Sequence, residues 1–389
     1  MPIAIYALAA AAFAIGTAEF VIAGILPPIA SDLGVSIPAA GLLVSFYALG
    51  VAIGGPILAL FTSSVSRKKL VVTYVAIFIL GHIACAAAAN FQLLLLARIL
   101  VALVHGAYFG AAMVIATALA PKERRGAATG LILAGLTVAS IVGVPIGTAI
   151  GTSFGWRWTF WAVSGLVAIA FAGIIALVPT DPGVKGERGN ALREIKALAR
   201  QPVATTILII ITQTIGQFAI FTYISPLATE VSGIPANLVP VILFLFGVGS
   251  TIGALVGGRL ADWKLMPSLI GILAIQVVVC ILMALFARNA YAMGALILVW
   301  SFFSFAFGPS VQTRILTSTQ DAPLLASNLI PSSFNVGIAA GAWLGGLLID
   351  RGLGYGILPW VGAVGVFVSM LLTIWAHGLD RRRAAAAGA

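Results

Sequence analysis

Twelve apolar stretches of about 20 residues or more run through this 389-residue chain with almost no charge inside them. They cover roughly residues 3–28, 39–61, 70–89, 92–119, 127–152, 158–179, 203–229, 237–258, 268–287, 291–313, 326–349 and 356–378. About 20 helical residues cross a ~30 Å hydrocarbon layer, so each stretch can span a membrane. In lipid the backbone must satisfy its own polar groups, which leaves helices or a closed barrel. The stretches are continuous rather than alternating, so helices are predicted. Only 8% of the residues are charged, against about 25% in a soluble domain. The expected fold class is an all-α membrane protein with twelve transmembrane helices.

The net charge of +10 is distributed in a way that argues against nucleic acid as a partner. With the N-terminus placed in the cytoplasm, 17 of the 21 Lys and Arg fall on inner loops and tails. Arg157, Arg288 and Arg351 fall outside, and Arg98 falls within a span. That asymmetry follows the positive-inside rule and puts both termini in the cytoplasm. The basic loops then face anionic lipid. Met1 to Phe20 is apolar and alanine-rich, but it lacks a basic leading segment and its apolar run continues to Pro28. It reads as a first span, not a cleaved signal. Cys85 and Cys280 are isolated within spans and read as apolar filler. No metal or cofactor is expected. There is no GxxxxGK[ST] nucleotide loop, and an enzyme is the least favoured class.

Residues 180–202 form the one long charged, Gly- and Pro-containing connection. It divides the chain into an N-terminal six-helix bundle (1–180), a cytoplasmic linker (181–202) and a C-terminal six-helix bundle (203–389). Residues 191–200 have the pattern of a short amphipathic helix on the membrane surface. Pro28-Ile29-Ala30-Ser31-Asp32-Leu33 follows the first span, and Pro226-Leu227-Ala228-Thr229-Glu230-Val231 follows the seventh, 198 residues later. Internal repeats of this kind point to a transporter with its site near the midplane. Gly143, Gly147 and Gly151 recur every fourth residue in span 5, as do Gly337, Gly341 and Gly345 in span 11. Small residues at this spacing let helices approach closely, as static packing or as a moving seam. Pro145 removes a backbone donor and predicts a bend.

Of all the Asp, Glu, Lys and Arg, only Glu19 and Arg98 fall inside the spans. Ionisable groups in hydrocarbon cost at least ~2.5 kcal/mol and mark ion or substrate pathways. At ~1.5 Å per residue, Glu19 lies about 22 Å from the inner edge, and Arg98 about 9 Å in from the outer one. In a ~30 Å core the two share a level. Two roles are open: a permanent pair, or a Glu19 that loads and releases a proton. Burial in general favours a neutral acid and a nearby guanidinium favours the carboxylate, so a change of distance or water access would change proton affinity. His105, about two turns after Arg98, either extends a proton path or bonds a neighbouring helix as a neutral ring. His82 and His377 read as structural or interfacial. The second half offers no embedded charge. Its candidates for a substrate cavity are Gln213, Gln217, Phe221, Tyr223, Gln312 and Asn335, since amides beside aromatic rings suit neutral polar or amphiphilic molecules.

Five stretches occur in order: Gly16-Thr17-Ala18-Glu19-Phe20 with Leu26-Pro27-Pro28; Arg98 with His105-Gly106; Gly143-Val144-Pro145-Ile146-Gly147; Gly155-Trp156-Arg157-Trp158; and Ser333-Phe334-Asn335-Val336-Gly337. Together they resemble the major facilitator superfamily, and within it the twelve-span drug:proton antiporters, especially bacterial sugar-efflux, arabinose-efflux and chloramphenicol-resistance permeases. The resemblance covers nearly the whole chain. It implies two pseudo-symmetric six-helix bundles and gating through Gly143, Pro145, Gly147 and Asp262. It also implies proton-coupled efflux of a small neutral or amphiphilic solute, sugar or drug, by a monomer in the bacterial inner membrane. One departure bears on gating. The family's Asp between spans 2 and 3 is replaced by Ser63 or Ser64, whereas Gly258-Arg259-Leu260-Ala261-Asp262 keeps it in the second half. Rival readings are an uncoupled facilitator or importer of a metabolite such as a nucleoside, and a non-transporting receptor, which would call for a signalling domain not found in these residues.

Overall fold

The structure, a computed structural model, describes residues 1–62, 64–180, 200–319 and 323–387. Ser63 and linker residues 181–199, which carry nearly all of the expected amphipathic helix, lie outside the described residues. Among those described, helices are the regular structure and there are no strands. The first half comprises α1 (Ile3–Phe20), α2 (Ile22–Asp32), α3 (Ile37–Phe61), α4 (Arg67–Ala87), α5 (Phe91–Leu119), α6 (Arg125–Val138), α7 (Val144–Phe154) and α8 (Trp156–Leu177). The second comprises α9 (Gln201–Phe221), α10 (Val239–Leu285), α11 (Ala290–Ser318), α12 (Pro323–Leu348) and α13 (Leu358–Ala387). Eleven stretches among the described residues are long and apolar enough to cross a membrane. One of them, Ala236–Leu285, is 50 residues long and breaks at Lys264, where φ −148° and ψ 89° leave helical geometry.

Local chemistry sets the helix ends. Ser36 accepts from the Ala39 N–H at 3.2 Å, Asn90 from Leu93 at 2.9 Å and Asn289 from Ala292 at 3.0 Å. Each satisfies a donor that a helix start leaves orphaned. Gly155, at φ +101°, turns α7 into α8. The bend expected at Pro145 takes a specific form. Ala139–Gly143 is a single π-helical turn between α6 and α7, ending two residues before the proline that cannot donate to the preceding turn.

The chain divides into two compact units, Met1–Arg188 with Pro235–Gly247, and Gly189–Ile234 with Val248–Ala389. Each buries its own core, around Leu8, Phe78, Tyr108 and Val167 in the first and around Leu269, Phe307 and Val366 in the second. The glycine stripes are where helices close up in both. Methyl groups placed on Gly147 and Gly151 would lie 2.8 Å from Val21 Cγ2 and 2.6 Å from Ile25 Cγ2, and one on Gly143 would strike Thr17. In the second unit Gly337, Gly341 and Gly345 lie against Thr214, Ile215 and Tyr223 of the α9 segment. So span 5 packs on span 1, and span 11 on span 7, through the same small-residue device.

Candidate functional site

Glu19 occupies the last turn of α1, two residues before the break at Val21 that separates α1 from α2. Carbonyls in a final helical turn lack in-helix donors, and a cation near that end is favoured by the helix dipole. Arg98, fully buried on α5, supplies both. Its Nη1 donates to the Ala18 carbonyl at 3.0 Å. The sequence places Glu19 and Arg98 at one level and leaves open a direct pair. In the structure the guanidinium reaches the backbone next to Glu19 instead, while Nε and Nη2 have no hydrogen-bond partner. Its flat face lies 4.0 Å from the centre of the Tyr47 ring on α3, a contact worth about 2 kcal/mol when desolvated.

The carboxylate faces His105. Glu19 Oε2 lies 3.8 Å from His105 Nε2, with side-chain exposures of 14% and 6%. That is too long for a formed hydrogen bond. The other ring nitrogen, Nδ1, is 2.8 Å from the Tyr47 hydroxyl, and the two rings meet edge-on at 5.7 Å. Three helices therefore converge: α1 brings the acid, α5 the histidine and the arginine, and α3 the tyrosine that touches both. Sequence reasoning singles out Glu19, Arg98 and His105. It misses Tyr47, because a tyrosine in an apolar span has the same signature as core filler. His82 is separate and structural, stacked on Phe78 at 4.3 Å with Nδ1 on the Phe78 carbonyl at 2.8 Å.

The second unit holds amides where the first holds charge. Gln213 and Gln217 are buried on α9, and Gln213 Nε2 donates to Gln217 Oε1 at 3.3 Å. Phe221 is buried beside Phe218, the rings 5.5 Å apart and edge-on. Among the described residues the remaining candidates have no hydrogen bond to that pair. Tyr223 spends its hydroxyl on the Ala342 carbonyl at 2.9 Å and ties the segment just after α9 to α12. Asn335 Nδ2 donates to Pro331 O at 3.0 Å, leaving its Oδ1 buried without a partner. Gln312 is exposed, and so is Asp262, two residues before the break in α10.

One expectation is corrected. The second half does carry a buried charge. Arg314, assigned to an inner loop because the apolar run stops at residue 313, lies inside α11 and is 4% exposed. The helix simply continues past the apolar run, and its neighbours satisfy the charge. Arg314 donates from Nη1 to Asp380 of α13 at 2.6 Å and from Nε to Thr206 of α9 at 2.9 Å. The first unit has its own clamp, at the far end of α2. Asp32 accepts from Trp156 Nε1 at 3.0 Å and pairs with Arg157, which also donates to the Ala88 carbonyl at 3.0 Å. The hydrogen bond from Arg157, followed by that from Trp156, holds the Asp32 carboxyl below the usual aspartate range.

Comparison with known proteins places this arrangement. The family model of the Major Facilitator Superfamily matches residues 8–327. The chain belongs to the major facilitator superfamily. Membership makes it a multi-pass membrane transporter, of a family that is generally non-enzymatic. It is 38% identical over 366 residues to the Inner membrane transport protein YdhP of Escherichia coli K12, covering 94% of each chain. It is 33% identical over 374 residues to a chloramphenicol resistance protein of Streptomyces lividans (96% of this chain, 95% of that one). Identity is 31% over 387 residues to the putative transporter AraJ of E. coli K12, with 98% and 96% covered. Among solved structures, a bacterial homologue of the human lysosomal transporter Spinster superposes with a TM-score of 0.72 at 18% identity, over 96% of this chain and 93% of that one.

Proposed function

We infer that this transporter is a proton-coupled exporter in the bacterial inner membrane. It exchanges protons for a small neutral or amphiphilic solute, a sugar or a chloramphenicol-like compound, by alternating access. The single observation that carries this reading is the carboxylate of Glu19 in an apolar helix, held near His105 and one residue from the carbonyl that anchors Arg98. A carboxyl group so placed titrates against surroundings set by two neighbours on another helix. Any rearrangement of α1 against α5 changes its proton affinity, and that differential is what coupling requires thermodynamically. Arg98 keeps its charge throughout, because a guanidinium does not deprotonate in proteins. Reading α10 as two spans divided at Lys264 brings the count to twelve, and an even count with the basic loops inward keeps both termini in the cytoplasm. The name of the Streptomyces relative, a chloramphenicol resistance protein, supports a drug-like solute, and that of the E. coli relative, a putative transporter, supports transport.

The test is transport by purified protein in proteoliposomes, with radiolabelled chloramphenicol and an arabinose or lactose panel as probes. An imposed pH gradient should drive uphill movement in the wild type. Glu19→Gln should lose that accumulation by about 10- to 100-fold, the scale of a typical coupling free energy, while solute counterflow at equal pH survives. Accumulation in Glu19→Gln equal to wild type rejects the coupling role. Wild-type movement indifferent to the direction of the gradient makes the protein a facilitator.

A further inference from the structure

Two histidines of the first unit are held through Nδ1, and the chemistry of their partners decides which nitrogen carries the hydrogen. At His82 the partner is the Phe78 carbonyl. A carbonyl only accepts, so the neutral ring carries its hydrogen on Nδ1. At His105 the partner is the Tyr47 hydroxyl, which can give or take. Tyr47 is 2% exposed, and among the described residues its hydroxyl has no hydrogen bond other than that to His105. Were it to accept from Nδ1–H, its own hydrogen would be buried without an acceptor, at a cost of about 1–3 kcal/mol. Donation to Nδ1 avoids that cost. The ring hydrogen then sits on Nε2, the nitrogen that faces Glu19.

We propose that Tyr47 is a positioning residue for Glu19: its hydroxyl holds His105 as the Nε2–H tautomer, so the imidazole presents a donor to the carboxylate. This rests on the proton-coupling role of Glu19. A donor aimed at a carboxylate makes a charge-assisted bond, roughly twice as strong as one to the carbonyl oxygen of the neutral acid. The 3.8 Å gap therefore closes most firmly when Glu19 is ionised and slackens when it is protonated. The fixed tautomer turns proton binding into a change in how tightly α1 is held to α5. The same Tyr47 ring stacks on Arg98, so one residue orients both neighbours of the acid. The titratable groups around this cluster are Arg98 and His105 from α5, Tyr47 from α3, and His82 and Cys85 from α4. The helices that pack on α1 from the other side, α6 and α8, bring only Arg125 and Arg157, each within the first two residues of its helix, and residues 126–154 and 158–177 contain no ionisable side chain.

Nitrogen-15 NMR of histidine-labelled full-length protein reads the tautomers without any substrate, with His105 assigned by subtracting His105→Gln. The wild type should show His105 as Nε2–H and His82 as Nδ1–H. Tyr47→Phe keeps the ring under Arg98 and removes only the hydroxyl. It should abolish the Nε2–H preference of His105, leave His82 unchanged, and move the midpoint of the Glu19 carboxyl titration, read by infrared difference against Glu19→Gln, by about one pH unit. That shift corresponds to a charge-assisted hydrogen bond. In a His105→Gln background Tyr47→Phe should move nothing further. Three results overturn the proposal: His105 found as Nδ1–H or as imidazolium at neutral pH in the wild type; a Tyr47→Phe protein with unchanged tautomer and midpoint; or a midpoint shift that persists without His105. Should Tyr47→Phe not fold, the wild-type tautomer decides alone. Failure of the coupling role itself shows elsewhere, as undiminished gradient-driven transport in Glu19→Gln.

Discussion

The middle of the first six-span half and the middle of the second are built on one helical plan and filled with opposite chemistry. The spacing of 198 residues that carries Pro28 to Pro226 also carries Glu19 to Gln217, Tyr47 to Leu245, Arg98 to Leu296 and His105 to Phe303. Both halves close span 5 or 11 onto span 1 or 7 through glycines at every fourth position. Among the described residues, only the first keeps a carboxylate, a cation, an imidazole and a phenol together. The second places a hydrogen-bonded pair of amides at the matching position. An acid buried in an apolar helix is tolerated where a cation and a donor accompany it, and the second half has neutral residues at all three matching positions. The repeated frame keeps the packing, whereas the charge at its middle belongs to the first half.

The largest expected effect comes from moving the acid to the half that lacks its companions. Gln217→Glu puts a carboxyl at a site 4% exposed, and it should lower thermal stability in detergent by about 2.5–3.5 kcal/mol without restoring coupling to Glu19→Gln. Stability equal to wild type would break the contrast drawn between the halves. The glycine seams come next. A methyl on Gly341 would meet backbone, Ile215 O at 2.5 Å and Ala219 N at 3.1 Å, whereas one on Gly147 would meet the end of the Val21 side chain. Gly341→Ala should therefore cost about 1–3 kcal/mol and Gly147→Ala less, measured as unfolding midpoints of the two variants side by side. Equal midpoints would show that the second seam can relax as the first does.

Arg98→Lys retains the charge but loses the planar group that both reaches Ala18 O and stacks on Tyr47. Gradient-driven transport should fall about tenfold, equivalent to about 1.4 kcal/mol. Arg314→Lys in the second unit should leave the coupling ratio unchanged. The smallest effect is at the rim. Asp32, partly exposed and paired with Arg157, should contribute about 0.2–1 kcal/mol. Its depressed pKa makes that contribution fully present above the ordinary aspartate value near 4 and lost as pH falls through the folded-state value. Thermal scans from pH 7 downward should show Asp32→Asn less stable than wild type at neutral pH and equal to it in acid. A difference that persists in acid would assign the loss to packing.

Much of this was legible in the residues alone, for a physical reason. Hydrocarbon penalises charge and unsatisfied backbone so heavily that twelve apolar stretches declare helices before any packing is considered, and Glu19 and Arg98 stand out as the exceptions. Glycine periodicity likewise names the seams, since only a missing side chain lets two backbones close. The partners of those exceptions were not legible. Whether Arg98 meets a carboxylate or a carbonyl depends on how α5 rotates against the break at Val21. Tyr47 reads as filler until α3 brings its hydroxyl within 2.8 Å of His105. Arg314 sits one residue beyond its apolar run and passes for a loop cation until Asp380, 66 residues later, is brought beside it. Transfer free energy is a property of each residue and can be read along the chain. Hydrogen bonds and ion pairs form between residues far apart in sequence, so the tertiary structure alone decided them.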